Sequence, residues 1–189
     1  MISQVYGGGG NLGGLFDRDF IELYNRGPEL VDLDGWTVQY APPTSGDWAS
    51  TSLTGTMHPG TYYLIAEHAG DAGGPALPVP DAEGNIPINA ISGRVALAAS
   101  AVQLVGSCPA GGGIADLVGY GAASCAEGGH AAPTLNNTAA ALRLGAGATD
   151  TGDNAADFTA GPPVPRNRRH GVATGHLRRR LPQADQEAP

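Results

Sequence analysis

Lysine is absent from these 189 residues, and all 10 cationic side chains are arginine. Codon bias in a GC-rich genome is the simplest account, with adaptation to salt a weaker one. Without lysine there is no Gly-Lys-Ser/Thr run, which excludes a P-loop. Long apolar runs are also missing. No window approaches the 18 or so apolar residues of a membrane helix, and no basic-then-apolar leader opens the chain. Met1 runs directly into a strand-like segment, as expected of a truncated gene product. Catalytic signatures are lacking too. Histidines 58, 68, 130, 170 and 176 are scattered, with no His-Glu-x-x-His and no Gly-x-Ser-x-Gly, so the chain is expected not to be an enzyme. Cysteine is limited to Cys108 and Cys125. A zinc site would need two more ligands, and only His130 is near. A disulfide needs only proximity and would contribute roughly 3 kcal/mol through the loop it closes. Two free thiols remain the third option.

What is present is glycine and alanine, 30 of each, about a third of the chain. These bury little surface, so the core must come from short runs of Val, Ile, Leu, Tyr and Trp, enough for one domain. The runs span four to seven residues, rich in β-branched and aromatic types and bounded by Gly, Pro, Asn and Asp, which predicts strands rather than helices. Strands are predicted at 2–6, 19–25, 30–33, 36–41, 48–53, 62–67, 94–98, 102–105, 114–120 and 140–144. Trp36, Val38 and Tyr40 alternate with Thr37 and Gln39, so one face should be buried. Asp34-Gly35 predicts a type I′ hairpin. Residues 69–87 read as a long surface loop, and Gly161-Pro162-Pro163-Val164-Pro165 as the end of the domain. Short strands with long Gly/Pro/Ala-rich loops imply an all-β sandwich of about 8–10 antiparallel strands.

Charge is uneven. Residues 1–165 carry 4 Arg against 16 acidic residues, and residues 166–189 carry 6 Arg against 2. The acidic body should repel nucleic acid. The basic tail, through Arg166, Arg168, Arg169 and Arg178–Arg180, could contact phosphates or be a solvated tail. Gly8-x-Gly10-x-x-Gly13 formally matches a dinucleotide fingerprint. However, the following residues alternate like a strand and supply no helix N-terminus for the phosphate. A flexible connection fits better. Asp150, Asp153, Asn154 and Asp157 form a dense oxygen cluster that suits calcium or, alternatively, an Asx-rich turn capping a strand. Trp48, after Ser45-Gly46-Asp47, is the aromatic most expected to be exposed for binding. Asn136-Asn137-Thr138 is a glycosylation sequon, relevant only in a eukaryotic secretory host.

Several separated segments resemble the lamin-tail domain (LTD) family. They are Asp19-Phe20-Ile21-Glu22-Leu23-Tyr24-Asn25, then Val31-Asp32-Leu33-Asp34-Gly35-Trp36-Thr37-Val38, then Leu53 and Pro59-Gly60-Thr61-Tyr62-Tyr63-Leu64-Ile65. The opening Ile2–Asn11 is similar to the family's bacterial secreted branch. So are Asp116-Leu117-Val118-Gly119-Tyr120-Gly121, Asn137–Arg143 and the closing Asp150–Asn167. The resemblance implies an immunoglobulin-like β-sandwich over residues 1–167, followed by an Arg-rich tail, 168–189, expected to be disordered. It implies a secreted or cell-envelope setting, no catalysis of its own and a cysteine pair where this branch tends to carry one. The expected role is a monomeric binding or anchoring module for a protein, envelope or polysaccharide partner. The alternative is a DNA-capturing accessory domain, or fragment, of a secreted nuclease or phosphoesterase. No cofactor is expected beyond calcium at the Asp150–Asp157 cluster.

Overall fold

Apolar alternation cut by Gly, Pro and Asx residues yields twelve strands in the computed structural model, which describes residues 1–111 and 113–170. They are β1 (Ile2–Tyr6), β2 (Arg18–Tyr24), β3 (Val31–Asp32), β4 (Thr37–Ala41), β5 (Ala49–Ser52), β6 (Thr56–Met57), β7 (Tyr62–Ala69), β8 (Ala82–Glu83), β9 (Gly93–Ala98), β10 (Ile114–Tyr120), β11 (Ala140–Arg143) and β12 (Phe158–Gly161). Six form one sheet in the order β12-β11-β1-β2-β7-β8, and four form a second, β10-β9-β4-β5. β3 and β6 make a separate short ribbon. The architecture is an all-β, immunoglobulin-like sandwich.

The core between the sheets gathers Ile2, Val5, Ile21, Val38, Tyr63 and Val118, among others. A register shift between Ile2 and Gln4 lets Ile2 and Val5 share this face although three residues apart. The outer faces are also covered. Tyr6, Phe20, Leu64 and Ala140 form one outer cluster, and Ala41, Trp48, Ala96, Leu117 and Cys125 form another. Every residue of β1, β4 and β9 is therefore buried, the polar ones included.

Three expectations change here. Asp34-Gly35 is not an I′ hairpin: only Gly35 takes positive φ (81°), which suits a type II turn. Nor do its flanks pair, since β3 bonds β6 while β4 bonds β5 and β9. The turn carries the chain from the ribbon into the second sheet. Residues 102–105 form no strand, only a single bridge between Asp47 and Val105. Val102 and Val105 are both exposed, and only Leu104 of this run packs inward, on the outer cluster of the four-stranded sheet. The segment 69–87 is not wholly a surface loop. β7 runs on to Ala69, β8 adds to β7 in parallel, and Ile86 enters the core.

Candidate functional site

The oxygen cluster after β11 surrounds a guanidinium. Arg143, at the end of β11, has a fully buried side chain. It donates two bonds to Asp116 (2.8 and 2.9 Å), one to Ile2 O (2.7 Å) and one to Thr149 O (3.1 Å). Asp157 and Asp150 lie 3.6 and 3.8 Å from its Nη1, and its plane faces the Phe158 ring at 4.5 Å. The remaining lone pairs are also engaged. Asp157 accepts from Thr151 N and Oγ1, Asp150 from Arg26, and Asp153 caps Ala155 N while meeting His130 at 3.0 Å. Asn154 Oδ1 accepts from Gly119 N and Glu127 N. The three aspartates proposed for calcium serve here as a helix cap and ion-pair partners, and Asn154 as a hydrogen-bond bridge to Gly119 and Glu127. No group of three or more His, Cys, Asp or Glu is placed to hold a metal among the described residues. Millimolar calcium is expected to leave the melting temperature unchanged; a saturable rise would reopen the metal site.

The arginines after Pro165 are similarly committed. Residues 162–170 cross the outer face of the six-stranded sheet. Val164 exchanges two bonds with the Gln4 side chain on β1. Arg166 binds the fully buried Glu22 carboxylate on β2 through its own N (2.7 Å), Nε (3.2 Å) and Nη2 (2.7 Å). Its guanidinium lies 3.7 Å from the centre of the Tyr62 ring on β7. Arg168 pairs with Asp81 at 2.9 Å, beside β8. Only Arg169 keeps its side chain without a hydrogen bond or ion pair among the described residues. Arg178–Arg180 lie outside them.

Trp48 is not an exposed platform. It is 2% exposed, packed in the outer cluster of the four-stranded sheet. Its Nε1 donates to Gly106 O at 3.0 Å, and the Arg94 guanidinium lies 5.3 Å from the centre of its ring. The 99–107 loop, invisible as a cover in the sequence, closes over it. Cys108 and Cys125 are joined as a disulfide that ties this loop to the segment after β10.

Several openings indent the surface among the described residues, and two bear on binding. A cleft of about 200 Å³ enters the sandwich between Leu23, Leu33, Trp36 and Met57, with Arg26 and Asp150 at its rim. That is below the size of small-molecule sites, which start near roughly 300 Å³. The other opening is a pair of shallow depressions, about 470 and 420 Å³, which share Ile91 and Asn137. No charged residue lines either one, although residues 1–165 carry 16 acids. Leu12 is 89% exposed here and Ile91 56%. The loop bearing Leu12 is fixed by its backbone. A Cβ on Gly9 would lie 1.8 Å from Arg18 C, so only glycine permits the crossing. Asn137 Nδ2 holds Leu12 O at 3.1 Å, and Tyr6 Oη accepts Leu15 N at 2.8 Å. The glycine run therefore fixes a backbone crossing rather than a flexible link. The sequence gives no signal that Leu12 and Ile91 meet, since 79 positions separate them.

Beneath this end, Asp19 accepts Gly9 N and Ile88 N, both at 2.9 Å, and so ties the two loops together. Burial pushes its carboxyl up to about 7, against the bonds from Ile88 and Gly9. Between the usual 3.8 and about 7 the folded state keeps a proton that the unfolded chain has released. Stability from Asp19 is therefore complete below this window and lost as pH rises through it. The melting temperature should fall across the window, and Asp19→Asn should flatten the fall. An equal slope in the variant would assign it to other groups.

The model of the lamin tail domain family matches residues 1–122, so the match ends before β11 and β12, which complete the six-stranded sheet. Comparison with curated proteins and with solved structures gave no match.

Proposed function

Because the chain belongs to the lamin tail domain family, we propose that it is a non-catalytic, monomeric binding module of an extracellular or cell-envelope protein that docks a protein partner through its Leu12–Ile91 end. The observation that carries this is Leu12, almost fully exposed yet held on a hydrogen-bonded backbone. The backbone here is already ordered by folding, so less entropy is lost when Leu12 enters a partner's pocket. Charge depletion around an apolar centre is the composition expected of an interface core. The disulfide supports an oxidising compartment.

A photo-crosslinking residue at position 12, compared with one at Glu83, should yield a position-specific adduct that identifies the partner. With that partner purified, Leu12→Asp should weaken binding by about tenfold or more, equivalent to about 1.4 kcal/mol, while stability changes by less than about 0.5 kcal/mol. Equal adducts from both positions, or unchanged affinity, would remove the reading. DNA capture, the alternative, retains Arg169 and the arginines outside the described residues, because Arg166 and Arg168 already meet carboxylates. It requires DNA affinity that drops steeply with salt; salt-insensitive or absent binding excludes it.

A further inference from the structure

The outward side chains of β4 are polar yet buried, and what buries them is backbone. Gln39 donates from Nε2 to Val102 O (3.0 Å) and accepts Leu104 N at Oε1 (2.8 Å). Its amide thus reads two peptide groups of one passing chain. Thr37 Oγ1 donates to Ser100 O (2.9 Å) and fixes the Gln39 amide at 2.9 Å. Further along, Gly106 N bonds Gly46 O (3.0 Å), Trp48 Nε1 bonds Gly106 O, and the Arg94 guanidinium donates to Ser107 O. Two side chains of the covering segment take part: Gln103 Nε2 donates to Trp48 O, and Leu104 turns inward. Val102 and Val105 are 73% and 78% exposed, and only Leu104 packs against the Ala41–Trp48–Ala96–Leu117 cluster.

We propose that this face of the four-stranded sheet is a binding site for a polypeptide segment, recognised through its backbone, one side-chain amide and one apolar side chain, and that segment 100–107 of the chain itself occupies it, latched by Cys108–Cys125. The occupant's chemistry is given by the segment already seated there. Segment 100–107 competes at the high effective concentration of a tethered ligand, and the disulfide beginning at the next residue maintains it. Cys108 is exposed while Cys125 is buried, so an external thiolate reaches the Cys108 side first. A dithiol attacks that sulfur, the S–S bond opens, and the reagent closes its own disulfide. Two electrons pass to the protein sulfurs, which take up two protons as thiols. The segment can then leave, and a partner's segment can replace it.

The test uses the full chain and a capped peptide of residues 99–107, labelled for fluorescence anisotropy. Cys108→Ser/Cys125→Ala and the dithiol-reduced protein should bind it saturably, at least about tenfold more tightly than the oxidised protein. Adding Gln39→Leu should abolish binding. Amide exchange at Leu104 and Gly106 should rise at least about tenfold on reduction, with β2 and β7 unchanged. Peptide affinity that ignores the disulfide, binding that survives Gln39→Leu, or no binding by the folded latch-free variant overturns the proposal. So does loss of the sheet on reduction by circular dichroism, which would make the disulfide a staple of the fold. The site uses neither Leu12 nor Ile91, so Leu12→Asp leaves peptide binding intact and each proposal can fail alone.

Discussion

Arg143→Ala is expected to lower folding stability on the order of 4–5 kcal/mol, measured as a shift in the urea midpoint at constant slope. The side chain has no contact with water and serves three carboxylates, two carbonyls and an aromatic face. Its removal leaves buried Asp116 with only the neighbouring Met1 α-amino group and the Ile2 N–H to offset its charge, and an under-compensated buried charge costs more than the pair contributed. Arg143→Lys should recover only part of the loss, because an ammonium cannot bond both Asp116 oxygens and Ile2 O in one plane. Adding Asp116→Asn to Arg143→Ala should restore stability relative to the single variant, since it removes the stranded charge. A loss under about 1 kcal/mol for Arg143→Ala would mean that the carboxylates relax to solvent and that the guanidinium does not organise the cluster.

The second large effect belongs to Arg166. Its alanine variant is expected to cost on the order of 3–4 kcal/mol. Glu22 is fully buried and receives from Arg166 a backbone N–H and two guanidinium bonds. In the variant Glu22 keeps Ser3 Oγ at 2.6 Å and the main-chain N–H of residue 166 at 2.7 Å but loses its cation. The stacking of the guanidinium on Tyr62 is lost with the charge. Truncation after Pro165 should be at least as damaging, whereas truncation after His170 should change stability by less than about 0.5 kcal/mol. Glu22→Gln combined with Arg166→Ala should cost less than the two single losses added. If truncation after Pro165 proves harmless, residues 166–170 are ornament on the sheet.

Much of the fold is legible in the sequence. The expected and observed bounds of β1 and β10 agree residue for residue, because glycine ends β1 and flanks β10 on both sides. The sandwich followed from run length and spacing. β8 and β6 were not legible, because two residues carry no periodicity and exist only through a neighbouring strand. The burial of Trp48 is hidden from the sequence for a related reason. Alternation assigns one face inward, and nothing local says that the other face is roofed by a loop some 50 residues later. The arginines after Pro165 read as a charged tail because the carboxylates that receive them, Glu22 and Asp81, are distant in sequence. The same holds for Asp150–Asp157, whose density of oxygens is equally suited to a cation from solution or from Arg143.

The sequence by itself determined the absence of lysine and of any long apolar helix, the strand-forming runs, and the family, since all of these depend on local composition and order. The tertiary structure alone decided what each charge faces. A buried carboxylate takes whichever cation the fold brings within about 4 Å, since the cost of leaving it alone in a low-dielectric interior is several kcal/mol. Here that cation is an arginine of the same chain, both under β11 and across the sheet.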